Sequence, residues 1–178
     1  MQSGGRNEIQ LHRIKEPKLS LNENQIASVW ERRIGSEVRS LYFGDLANID
    51  SRVKQILNGS IFFLSSGAAA TVIAKMNPSV PIILSLLVAC ASAYTIAVNL
   101  DAKIRTMAKL HYSWNQLASE YERLWDHNYE DDAEDQLNIL IKREEDLSEV
   151  ATTDAPNDQK KMGYWQDWVQ KRYDLTAA

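Results

Sequence analysis

Cysteine occurs once in the 178 residues, at Cys90, which excludes an intrachain disulfide and a zinc site built from several cysteines. Glycine (7) and proline (4) are scarce. An all-β chain needs many more tight turns, so the expected fold class is all-α. Positive charge is not in excess: 20 Lys and Arg stand against 24 Asp and Glu, a formal net charge of −4, and no direct nucleic-acid binding is expected from that balance. The histidines are His12, His111 and His127, with no metal-binding spacing such as H-E-x-x-H. On one helix His111 and His127 would stand about 24 Å apart, too far to share an ion. Phosphate-loop, nucleophile-elbow and C-x-x-C motifs are all missing. Glu130, Asp131, Asp132, Glu134 and Asp135 lack the alternation and central glycine of a calcium loop and suit a helix start. The expectation is a non-enzyme without catalytic residues, metal or cofactor.

Charge itself is absent from two long stretches. Gln55–Ala74 and Met76–Leu100 contain no charged residue over 20 and 25 positions, with only Lys75 between them. About 20 apolar helical residues cross a hydrocarbon core of about 30 Å. The expected arrangement is therefore a transmembrane hairpin: helix 55–74, external loop 75–81 carrying Pro78 and Pro81, and helix 82–100. Arg52, Lys54, Lys103, Arg105 and Lys109 flank its open end, so both termini are expected to face the cytoplasm. The first ten residues, MQSGGRNEIQ, have no apolar core and do not read as a secretory signal.

The polar remainder reads as helices. Residues 1–21 form a tail without clear periodicity. In 22–54, Ile26, Trp30, Ile34, Val38 and Leu41 mark one helical face, Asn22 and Asn24 are suitable caps, and Gly44 is a candidate kink. In 101–152, Ile104, Met107, Leu110, Trp114, Leu117, Tyr121 and Leu124 are spaced close to a coiled-coil seam. This seam is the candidate cytoplasmic oligomer contact, with Trp114 and Leu117 in its packing. No Gly or Pro interrupts 100–129, so one helix is expected from Pro81 to Asp126. A further helix carries Leu137, Leu140, Leu147 and Ala151 on its apolar edge. Residues 153–178 hold the rest of a polar linker (152–163) and an aromatic, basic helix with Trp165 and Trp168, suited either to a membrane interface or to docking on the bundle. Residues 1–54 carry a net charge of +2 and 101–178 a net charge of −7, which favours their association.

The membrane helices suggest two kinds of site. Ala89, Ala93 and Ala97 on the second, and Ser66 and Ala70 on the first, form rows that permit close helix packing, within one hairpin or between protomers. Ser85, Ser92, Thr95 and Asn99 form a polar stripe. It suits either the lining of a pore or hydroxyls bonded to carbonyls of their own helix. Cys90 is expected to be a packed small residue.

An amphipathic helix (NQIASVWERRIGSEVRSLYFGDLA), two apolar helices with a short proline-containing turn, and a helical continuation (AKIRTMAKLHYSWNQLASEYERLW) together resemble the SLATT domain. That domain is a two-transmembrane effector associated with SMODS nucleotidyltransferases and SLOG domains. The resemblance covers roughly residues 22–152 and rests on layout. It implies an effector of a prokaryotic anti-phage system that oligomerises and permeabilises the inner membrane, causing abortive infection. The implied trigger is a nucleotide signal or a partner: a nucleotidyltransferase, a SLOG-type sensor or a retron-type reverse transcriptase complex. The alternative is a non-toxic membrane anchor whose helical bundle recruits a partner protein.

Overall fold

Asn22 begins the first helix by a reciprocal cap. Its side-chain oxygen accepts the Gln25 N–H at 2.9 Å, while the Gln25 side chain accepts the Asn22 N–H at 2.9 Å. From there a computed structural model, describing residues 21–66 and 79–176, shows an all-α chain: α1 (Glu23–Ser65), α2 (Ser79–Val98), α3 (Leu100–Asp126), α4 (Ala133–Asp154) and α5 (Gln159–Thr176). The expected tail, apart from Leu21, and most of the expected loop lie outside the described residues.

Gly44 does not break α1, which runs as one helix through it. Its role is close approach: a Cβ placed there would stand 2.9 Å from Nδ1 of His111 on α3. That nitrogen lies 2.8 Å from the Ser40 carbonyl oxygen, which can only accept, so Nδ1 carries the proton. Ser40 Oγ in turn donates to the His111 carbonyl at 3.2 Å. Gly44→Ala should therefore forfeit its helix-propensity gain of about 1 kcal/mol by displacing His111. The same substitution made in a His111→Ala background should stabilise by about 0.5–1 kcal/mol. Thermal unfolding of the four variants measures this, and equal effects in both backgrounds would refute the close-approach role.

The core forms where α1 packs on α3. Met107, Leu110, Trp114, Leu117, Tyr121 and Leu124 are all buried, at most 2% exposed, among Val29, Tyr42 and Phe43 of α1 and Leu137 and Leu140 of α4; Ile104 is half-buried. This corrects the expected oligomer contact. The seam is real, but the chain covers it with its own helices, leaving none of its central side chains for a second copy.

Two further expectations change. The continuous helix from Pro81 to Asp126 is interrupted at Asn99, which adopts a left-handed conformation (φ 45°) and leaves α2 and α3 bent by 44°. Asn is among the few residues other than Gly that tolerate this conformation. Its carbonyl accepts from the N–H groups of Ala102 and Lys103, starting α3. The second apolar helix also begins earlier than expected, at Ser79, with Pro81 in its first turn, where no intrahelical N–H bond is lost. The linker expected at 152–163 shrinks to 155–158.

The C-terminal helix docks on the bundle rather than standing apart. Val169 is fully buried, the Trp30 and Tyr173 rings meet edge to face at 5.1 Å, and Arg172 and Tyr173 bond Glu37 of α1 at 2.7 and 2.6 Å. Tyr42 Oη donates to the Pro156 carbonyl and accepts from the Asp158 N–H, fastening the α4–α5 linker to α1.

Candidate functional site

Beyond the bundle, the end of α1 and all of α2, which touch each other, carry apolar side chains outward. Ile82 is 69% exposed, Leu86 63%, Ile96 80% and Phe62 78%, with Ile56, Phe63, Ile83 and Leu87 similarly bare. On α2 the half-buried positions Leu84, Val88, Ala91, Ser92, Thr95 and Val98 share one face, and on α1 Leu57, Ile61 and Leu64 share another. That pattern is an antiparallel pair with a lightly covered inner seam and a bare apolar exterior. Among the described residues no single helix is long and apolar enough to cross a membrane. The Ile82–Val98 and Leu100–Asp126 helices meet that measure only together, as the bent pair. Residues 67–74 of the expected first span, Ala70 included, lie outside the described residues.

The polar stripe divides between two environments. Ser85 Oγ donates to the Ile82 carbonyl and Thr95 Oγ1 to the Ala91 carbonyl, both at 2.9 Å, so these hydroxyls are satisfied by their own helix. Ser92 and Thr95 lie on the half-buried face, whereas Ser85 and Asn99 are exposed. Ser66 is occupied in capping α1, its Oγ donating to the Phe63 carbonyl at 2.7 Å. Ala89, Ala93 and Ala97 are exposed within the protomer, as is Cys90, which is not the packed residue expected.

A collar of charge separates this apolar pair from the bundle. Lys54 pairs with Asp101, and Lys103 with Asp50 at 3.1 Å. The Lys54 hydrogen bond holds the Asp101 carboxyl below its ordinary range. Ion pairs between α1 and the later helices run in both senses, with the cation on α1 in Arg33–Glu122 at 2.6 Å and on the later helix in Arg172–Glu37 at 2.7 Å.

The most connected polar group inside the bundle is Glu144, 12% exposed at its side chain. It accepts from Arg32 at 2.7 Å, Arg39 at 3.1 Å and Tyr121 Oη at 3.0 Å, tying α1, α3 and α4 together. Burial, then the adjacent carboxylate, raises the Tyr121 hydroxyl pKa well above its ordinary value; Tyr173 beside Glu37 is raised for the same reasons, in the same order. Arg39 also lies over the Trp114 ring, 4.7 Å from its centroid. Trp114 and Tyr121 belong to the expected seam, whereas Arg32, Arg39 and Glu144 carry no mark as a site in the sequence pattern. A signal existed: Glu144 falls in the apolar edge Leu137, Leu140, Leu147 of α4 at helical spacing, where a carboxylate needs partners.

His111 and His127 do not converge, and no metal-binding cluster of His, Cys, Asp or Glu occurs among the described residues. No family model, curated protein or solved structure matches the chain.

Proposed function

We propose that the chain is a membrane effector whose apolar helix pair inserts in the bacterial inner membrane and whose helical bundle remains in the cytoplasm. The observation that carries this reading is the contrast between the two ends of α1. Around Tyr42 it belongs to a complete core, whereas around Phe62 it is bare beside an equally bare α2. A water-exposed apolar surface of that extent calls for lipid or protein cover, and the collar of Lys54, Asp101, Lys103 and Asp50 marks where polar cover begins. The positive residues flanking the open end of the pair support a cytoplasmic position for both termini.

On this reading the bundle is a sensor that engages a nucleotide signal or a partner such as a nucleotidyltransferase, a SLOG-type sensor or a reverse transcriptase complex. Triggering gathers copies of the hairpin through the exposed row Ala89, Ala93 and Ala97, opens the membrane and aborts infection. The anchor reading, in which the hairpin only tethers an adaptor bundle, is favoured by one specific observation: Ser85 and Thr95 already satisfy their hydroxyls within α2, leaving less reason for water along that stripe.

The test is expression of the full chain in bacteria, with and without phage challenge, while recording membrane potential and growth. Reporters fused after Ala178 and inserted at Asn77 should read cytoplasm and periplasm. The effector should collapse the potential when triggered, and joint replacement of Ser85, Ser92, Thr95 and Asn99 by Leu should abolish the collapse while preserving insertion. Correct topology with no depolarisation under any challenge would select the adaptor. Two cytoplasmic reporters would reject both readings.

A further inference from the structure

The collar has an inner and an outer side. Asp50 and Lys54 lie on the side of α1 turned to α3, where they meet Lys103 and Asp101. Successive helical residues turn by about 100°, so Arg52, two positions from each of them, lies on the far side of α1. The same step carries Arg105 from Lys103 to the far side of α3, and Lys109 follows one turn later, about 40° round. All three are exposed. Arg52 and Lys109 form no ion pair among the described residues. Arg105 gives its Nε N–H to the Asp101 carbonyl at 3.2 Å and acts on a carboxylate that Lys54 already holds. Both acids of the collar are thus engaged, and its outer positions are cationic on both flanks.

The collar is also where the positive charge of the chain gathers. Arg52, Lys54, Lys103, Arg105 and Lys109 against Asp50 and Asp101 leave it at net +3, whereas the whole chain is at −4. Arg52 and Arg105 stand within about 3 Å of the level of the Asp50–Lys103 pair, and Lys109 about 9 Å toward the bundle. The headgroup layer of a bilayer is roughly 5–7 Å deep on each side, and the long stems of Lys and Arg carry their charges several ångströms along a helix.

We infer that the outer ring of Arg52, Arg105 and Lys109 binds the headgroups of anionic phospholipids around the apolar helix pair. The inference rests on the membrane reading and names the lipid that the reading leaves open. Phosphate oxygens accept from the guanidinium and ammonium groups. A zwitterionic headgroup offers the same phosphate but brings an ammonium that the ring repels. The cations lie on opposite flanks of the helix pair and do not converge, so a single free anion cannot meet them all, whereas a shell of lipids can. The same anionic surface repels the acidic remainder of the chain, so the bundle stands off while the collar is drawn in.

The test places the full chain in vesicles of phosphatidylcholine alone and of phosphatidylcholine with phosphatidylglycerol in a three-to-one mixture. Electron paramagnetic resonance of spin-labelled lipids then reads which headgroup occupies the boundary of the protein. Phosphatidylglycerol should be favoured over phosphatidylcholine by at least about threefold, since each nearby cation contributes up to about fivefold. The preference should fade in molar salt. Joint replacement Arg52→Gln, Arg105→Gln and Lys109→Gln should bring the two lipids within about 1.5-fold of each other, with the helical circular dichroism kept. Lys142→Gln should change nothing, because it removes the same charge from an exposed site on α4, beside the Arg143–Glu120 pair and several turns from the collar. A chain washed off phosphatidylcholine vesicles at alkaline pH would overturn the membrane reading and this inference with it. A chain that stays with those vesicles would overturn the inference alone if it showed no preference for phosphatidylglycerol, or if the triple variant kept the preference or Lys142→Gln lost it equally. Loss of the preference to inorganic phosphate, at an ionic strength where chloride spares it, would replace the lipid by a free anion and overturn the inference too.

Discussion

Trp114→Ala should destabilise the bundle by about 3–5 kcal/mol, the usual cost of truncating a large core aromatic. Trp114 has no exposed surface, it meets α1 through the overlying Arg39, and it sits midway along the α1–α3 contact. A loss of that size is a large part of the 5–15 kcal/mol that holds an ordinary domain folded. Denaturant unfolding in detergent, followed by tryptophan fluorescence and circular dichroism, measures it. The loss should be the same at every protein concentration, because the seam is covered by the same chain. A loss that shrinks as concentration rises would return Trp114 and Leu117 to an interface between copies, and a loss under about 1 kcal/mol would remove Trp114 from the core.

Glu144→Ala should cost about 1–3 kcal/mol. Removing one member of a fully buried ion pair costs about 3–5 kcal/mol; here Arg32 and Arg39 keep 34% and 38% of their side-chain surface in water, so hydration recovers part of the loss. The Tyr121 hydroxyl loses its acceptor as well. Glu144→Ala and Tyr121→Phe should consequently be non-additive by at least about 0.5 kcal/mol in a double-mutant cycle. Strict additivity would mean that the hydroxyl and the carboxylate do not work as one network.

The helices were legible in the sequence because periodicity is a local property. Asn22 was recognisable as a cap, and Met107 through Leu124 as a buried stripe, from spacing alone. What covers such a stripe is not local information. A seam reads the same whether a second copy or residues more than sixty positions earlier in the chain lie against it, and here Val29, Tyr42 and Phe43 are those residues. The Arg32–Glu144 pair spans 112 positions and leaves no short-range pattern beyond a carboxylate out of place on an apolar edge. Asn99 was obscured for a different reason. Breaks are read from Gly and Pro, and an Asn flanked by Val98 and Leu100 continues an apolar run without any mark of the left-handed turn it makes. Gly44 misled in the opposite sense, since a glycine required by a neighbouring ring looks, in one dimension, like a glycine that bends a helix.

The bend at Asn99 turns two helices into a crank. A straight helix twisted about its own axis moves nothing sideways. With α2 set at 44° to α3, twisting α3 swings α2 in an arc. A helix of 20 residues is about 30 Å long, so its far end stands roughly 20 Å off the α3 axis. A few degrees of torque applied at Trp114 and Tyr121 thereby become ångströms of lateral travel at Ile82 and Ile83. The pairs Lys54–Asp101 and Lys103–Asp50 sit at the elbow, where they act as its bearing.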